Sequence, residues 1–184
     1  ETELAYIANI ITEMAIINYE ISFELFSGKR TIFKSIKSSS WDDALFRIFG
    51  LNTLKAMAPL RIVGRDWDLT GRVGDPLSTR SSPDKIFIYV NGRAVISRAI
   101  AGALREGYRN IIPMGKSPVA VISLTICPEL VDVNVHPAKR EIRLLHEEEI
   151  CSALTGAVGE ALSAYSSSGQ VRPEMPLPEP LSTR

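Results

Sequence analysis

Apolar and polar residues alternate along this chain with two different periods, and the switches between them mark out its elements. Leu4, Ile7, Ala8, Ile11 and Ala15 recur at three- and four-residue spacing, which predicts an amphipathic helix over residues 2–17 with Thr2 as its N-cap. Ile21, Phe23 and Leu25 then alternate with polar neighbours, Ser27-Gly28-Lys29 supplies a turn, and residues 31–36 return to complete a β-hairpin. Ser40 is placed to cap a helix with Asp42 and Asp43 in its first turn, Trp41, Leu45, Ile48 and Phe49 on its buried side, and Gly50 at its close. Gly64, Gly71 and Gly74 interrupt residues 60–73, predicting two short strands that end at Asp75-Pro76, followed by a polar loop over 77–84.

A strand over 85–90, an Asn91-Gly92 tight turn and a short return over 93–96 form a second hairpin. Ser97 then caps a helix whose apolar stripe is Ile100, Leu104 and Tyr108, with Pro113 closing the segment. Residues 117–126 are apolar on both faces, as a central strand must be. Val131, Val133 and Val135 alternate with Asp132 and Asn134, predicting a strand with one buried face. His136-Pro137 turns the chain out of it, and Ile142 and Leu144 resume the alternation. Glu147, Glu148 and Glu149 open a last helix with Ile150, Leu154, Val158 and Ala161 facing inward. Hairpins interspersed with helices predict an α/β fold, a two-layer sandwich of a mixed sheet covered by helices on one side, with the stretch from Leu130 to Leu145 as its organising segment.

Composition sharpens this. A chain of 184 residues, 45% of them hydrophobic, buries one sizeable core, so one domain is expected. Ser166–Ser168, Gly169 and four prolines between 173 and 180 cannot bury a core, which divides the chain into a folded module over 1–165 and a linker over 166–184. The start at Glu1, with neither a methionine nor a charged-then-apolar leader, reads as an excised piece. Two cysteines, Cys127 and Cys151, are too few for a disulfide framework and fit free thiols in a reducing cytoplasm. No apolar run reaches membrane-spanning length, so no membrane partner is expected. Twenty-one basic residues balance twenty-one acidic ones, which argues against a dedicated high-affinity nucleic-acid domain but leaves room for a local basic patch.

Several catalytic readings fail on spacing. Gly115-Lys116-Ser117 lacks the earlier glycine of a phosphate loop, since Asn110 holds that position, and Ser117-Pro118 leads into a strand where the motif needs a helix. His136 and His146 are the only histidines, with neither clustered cysteines nor a paired His-Glu helix motif, so no metal site is read. No serine sits in a nucleophile elbow. By residue type alone, Lys139 at a strand turn is a solvated cation, and Arg93, Arg98, Arg105 and Arg109 form a solvated basic face. Lys29, Arg30, Lys34 and Lys37 make a second basic candidate on the first hairpin.

The run VDVNVHPAKREIRL resembles the signature VDVNVHPxKxEVRF of the MutL family of DNA mismatch repair proteins, IYVNGRAV at 88–95 resembles that family's FVNGR segment, and TELAYIANIITEMAIINYEISFEL resembles the junction between its first two modules. Order and spacing agree over residues 1 to about 165. The resemblance implies the second, transducer module, of a ribosomal-protein-type fold, with residues 1–18 as the linking helix from an ATPase module. It implies that Lys139 contacts the terminal phosphate of ATP held by that module, and that Arg98, with Arg93, borders a DNA groove. Asn91, Gly92, Asn134, His136 and Pro137 are then the structural residues of the two motifs. Ile96-Ser97 departs from the more polar residues often found before that arginine.

The ATPase motifs of the family, a Glu-x-x-x-Asn helix, an Asp-x-Gly-x-Gly segment and a Gly-rich lid, do not occur here, nor does the acidic metal motif of its nuclease module. The chain is accordingly expected to be non-catalytic by itself, with ATP and Mg²⁺ as cofactors of the full-length protein. Its implied partners are DNA, the ATPase module, a MutS-like mismatch-recognition protein and a second copy. The competing reading is a stand-alone weak DNA-binding or protein-interaction module with no part in ATP turnover.

Overall fold

The computed structural model describes residues 3–79, 85–133 and 140–167. The first helix, α1, spans Glu3–Ile17, but its expected stripe is only partly covered: Ala15 and Ile16 are buried, whereas Ile7 is exposed. The Thr2 cap lies outside the described residues. Strands β1 (Phe23–Ser27) and β2 (Arg30–Ser35) pair as a two-stranded antiparallel sheet, turning at Gly28 with φ 59°. Helix α2 (Trp41–Phe49) starts where expected, with the Asp43 N–H donating to the Ser40 hydroxyl at 3.1 Å. Gly50, at φ 83°, breaks it from a short helix α3 (Leu51–Lys55) that the sequence pattern did not announce.

The main sheet has five strands in the order β3 (Met57–Val63), β4 (Trp67–Gly74), β7 (Ala120–Ile126), β5 (Ile86–Val90) and β6 (Arg93–Ala94). Strands β5 and β7 run parallel and the other neighbours antiparallel, so the sheet is mixed. A parallel pair cannot be joined by a tight turn. The connection from β5 passes through β6 and helix α4 (Arg98–Gly107), which covers the sheet on its way to β7. Strand β7 is central, as its two apolar faces require.

Where two short, glycine-broken strands were expected, β3 and β4 form a continuous seven-pair ladder from Met57↔Gly74 to Val63↔Asp68. Gly71 does not interrupt β4. A Cβ there would lie 2.6 Å from the Val121 carbonyl oxygen, so the glycine is what lets β4 and β7 approach.

Alternation along the strands divides the core in two. Ile88, Val90, Ile122 and Leu124 face α4 and α5 (Glu147–Ser167), joined by Ile100, Leu104, Ile150, Leu154 and Val158. Ala161 packs against the same cluster, as expected, and Leu162 beside it is buried. Each such Leu or Ile contributes about 1.5–3 kcal/mol through burial. Phe87, Tyr89, Val119 and Val121 point the other way, to Ile16 of α1 and Leu45 of α2, with Trp41, Ile48 and Phe49 packed around them. The mixed sheet covered by helices is therefore present, with one correction: the second face is covered too, by the N-terminal helices.

The described parts of the stretch from Leu130 to Leu145, residues 130–133 and 140–145, lie outside the main sheet. They contribute a separate two-stranded ribbon, β8 (Val131–Asp132) with β9 (Arg143–Leu144). Val133 lies outside that pairing and is exposed, so the one-sided buried strand expected over 131–135 does not extend through it. Ile142 and Leu144 do turn inward against the core. The organising element is β7.

Candidate functional site

The two motif segments meet at the β6 edge of the sheet. After β5, Asn91 and Gly92 adopt φ 48° and 76°, the left-handed pair that a two-residue hairpin turn requires. The Asn91 amide also donates to the Ile126 carbonyl and accepts from the Ile126 N–H, both at 2.9 Å, clamping the turn to the end of β7. Beyond β6, Ser97 accepts from the Ile100 N–H at 3.1 Å and opens α4.

Arg98, the first residue of α4, is exposed, and its turn carries no acidic side chain. Its guanidinium adds to the positive end of the helix dipole, whose Ile100 N–H is already capped by Ser97. Arg98 lines an open groove of about 460 Å³ together with Asn9, Glu13, Val95 and Arg105. On its other side Arg98 lines a smaller hollow of about 270 Å³ with Glu141, Ile142 and Glu147. Arg98 and Arg105 are two turns apart on one helix face, roughly 10 Å along the axis. Arg93 is exposed at the end of β6 and is not part of either groove's lining. Arg109 is held by Glu106 at 2.8 Å. On the first hairpin, Lys34 pairs with Glu24, its cross-strand neighbour, which reduces the basic character of that candidate.

Asn134, His136, Pro137 and Lys139 lie outside the described residues. Arg140, the next residue after Lys139, is described and well anchored. Its carbonyl accepts from the Ile96 N–H at 2.7 Å, and its guanidinium meets the Glu13 carboxylate at 2.6 Å. Glu13 lies on α1, and its backbone carbonyl accepts from the Tyr89 hydroxyl at 2.9 Å. Burial raises the Glu13 carboxyl above its ordinary range, outweighing the pull of Arg140. The sequence reading missed this pair, because no local pattern links two residues so far apart in the chain.

Chemically, Arg98 and Arg105 place two cations on the α4 wall of the larger groove, with Glu13 in the same lining and Glu141 and Glu147 in that of the smaller hollow. Among the described residues no cluster of His, Cys, Asp and Glu could hold a metal ion, and no helix is long and apolar enough to cross a membrane.

The model of the family "DNA mismatch repair protein, C-terminal domain" matches residues 45–163. The MutL protein of Methanothrix thermoacetophila is 51% identical over 95% of this chain. The chain spans 31% of that relative's length and 25% of the Lactococcus lactis MutL it also matches. Among solved structures, the N-terminal domain of a DNA repair protein superposes with a TM-score of 0.70 at 22% identity, covering 87% of this chain and 53% of that one. The Aquifex aeolicus MutL ATPase domain complexed with ADP gives 0.50 at 19% identity, covering 79% and 44%. These likenesses share the fold, and the family match extends over both motif segments and the helices that hold them, so the chain belongs to the MutL family of DNA mismatch repair proteins.

Proposed function

We propose that residues 1–165 are the transducer module of a longer MutL-type ATPase, with 166–184 as its linker. In this reading the module hydrolyses nothing alone. It supplies Lys139 to the terminal phosphate of ATP bound with Mg²⁺ in an adjoining module, and it borders a DNA groove with Arg98 and Arg93. The observation that carries the DNA part is the placement of Arg98, exposed at the positive start of α4 on the wall of an open groove. Lysine suits the phosphate task as a compact, mobile point charge. Exposed apolar side chains on α1, the bend after it and the first hairpin, Tyr6, Met14, Ile21 and Phe26 among them, support a further protein surface against this chain, as the ATPase module would provide. A MutS-like protein and a second copy complete the partners of this reading, in the cytoplasm.

Exchanging Arg98 for Glu in the longer protein tests the DNA arm. A phosphate contact predicts weaker binding to unrelated DNA sequences alike, and a salt dependence lower by about one contact. Unchanged affinity at low salt would make Arg98 an ordinary surface residue and leave the protein-interaction reading.

A further inference from the structure

Arg140 is tied to two elements at once. Its backbone carbonyl holds the Ile96 N–H, directly before the Ser97 cap of α4, and residues Ile96 and Glu141 form an isolated parallel bridge. Its guanidinium holds Glu13 on α1. Both partners of that ion pair are mostly shielded from solvent, at 32% and 25% side-chain exposure, so water and salt screen it less than a surface pair. Glu13 is fixed in turn through the Tyr89 hydroxyl, which ties α1 to β5. In the sequence Arg140 directly follows Lys139.

From this geometry we infer that Arg140 and Glu13 are a positioning pair, which sets where the Lys139 main chain is attached relative to α1. The inference rests on the Lys139 reading above and adds to it the residues that orient the lysine. Neither member touches nucleotide; they act through the residue next to them. Burial disfavours the charged form of the Glu13 carboxyl, and the Arg140 charge and hydrogen bond act against that. Because Glu13 lies on α1, any shift of that helix against the sheet is passed to Arg140 and so to the lysine's attachment.

The test uses the longer protein, with steady-state ATP turnover, ATP KM and thermal unfolding measured for Arg140→Ala, Arg140→Lys, Glu13→Gln and the Arg140→Ala/Glu13→Gln double variant, beside Lys139→Ala. Misplacing a catalytic cation predicts that Arg140→Ala and Glu13→Gln each lower kcat, on the order of tenfold, with KM little changed. The double variant should lose no more than either single one. Arg140→Lys, which can still pair with Glu13, should recover much of kcat. Should Arg140→Ala fail to fold, Glu13→Gln and Arg140→Lys decide by the same criteria. Full turnover in Glu13→Gln and in folded Arg140→Ala, with Lys139→Ala impaired, would overturn the positioning pair and leave the lysine reading intact. Full turnover in Lys139→Ala would overturn both.

Discussion

Asn91 holds its own turn by backbone conformation and a neighbouring strand by its side chain. The first role was legible, because Asn-Gly between alternating runs is a strong hairpin signal. The second was not, since the Ile126 groups that its amide satisfies lie in another strand. The two roles separate experimentally. Asn91→Gly keeps the left-handed backbone accessible and removes both side-chain bonds, so it should cost about 1–3 kcal/mol, chiefly from the Ile126 groups left unsatisfied. Asn91→Ala adds the strain of a positive φ and should cost more. Chemical denaturation of the three chains reads this directly, and an Asn91→Gly chain as stable as the parent would show that the amide bonds contribute nothing.

At the scale of elements, periodicity located the helices and most strands because buried faces leave a repeat in the sequence. Ser40 and Ser97 both accept from the N–H three residues on, and Ile100, Leu104 and Tyr108 are fully enclosed. Two features stayed out of reach. Gly64 does separate β3 from β4, but Gly71, also read as a break, marks a close backbone approach, and the alternation of 131–135 could not reveal that the strand paired with β8 is only two residues long. Gly71 makes the first point testable. An added Cβ would also meet the Ile122 side chain at 2.8 Å, and the Val121 carbonyl cannot move without opening the β4–β7 ladder. Gly71→Ala should therefore destabilise the chain by about 2 kcal/mol or more. A denaturation midpoint unchanged by Gly71→Ala would mean that β4 and β7 sit further apart than the structure places them.

Across the whole molecule, one sheet carries two helical coats, and the described candidates Arg93 and Arg98 lie at its β6 edge. Helix α1 reaches that edge from one side through Glu13, and α4 from the other through Arg98. The sequence named Arg98 and Lys139 only through family resemblance, because cations on turns and helix ends look alike by type. It gave no sign of Glu13 and Arg140, whose pairing exists only once the chain has folded. The zero net charge fits a module that meets DNA as one wall of a larger groove. In the proposed reading the module's chemistry depends on groups from outside it.

That dependence is the central claim, and Lys139→Ala measures it most directly. ATP turnover at saturating nucleotide is compared for the longer protein with and without the substitution, beside thermal unfolding of this chain carrying the same change. The account predicts turnover lower by about tenfold to a thousandfold, as for other cations that stabilise transition-state charge on phosphate. It also predicts an unfolding temperature that barely moves, and no Mg²⁺-dependent turnover by this chain alone. Unchanged turnover in the longer protein, or ATP hydrolysis by this chain abolished by chelating Mg²⁺, would contradict it.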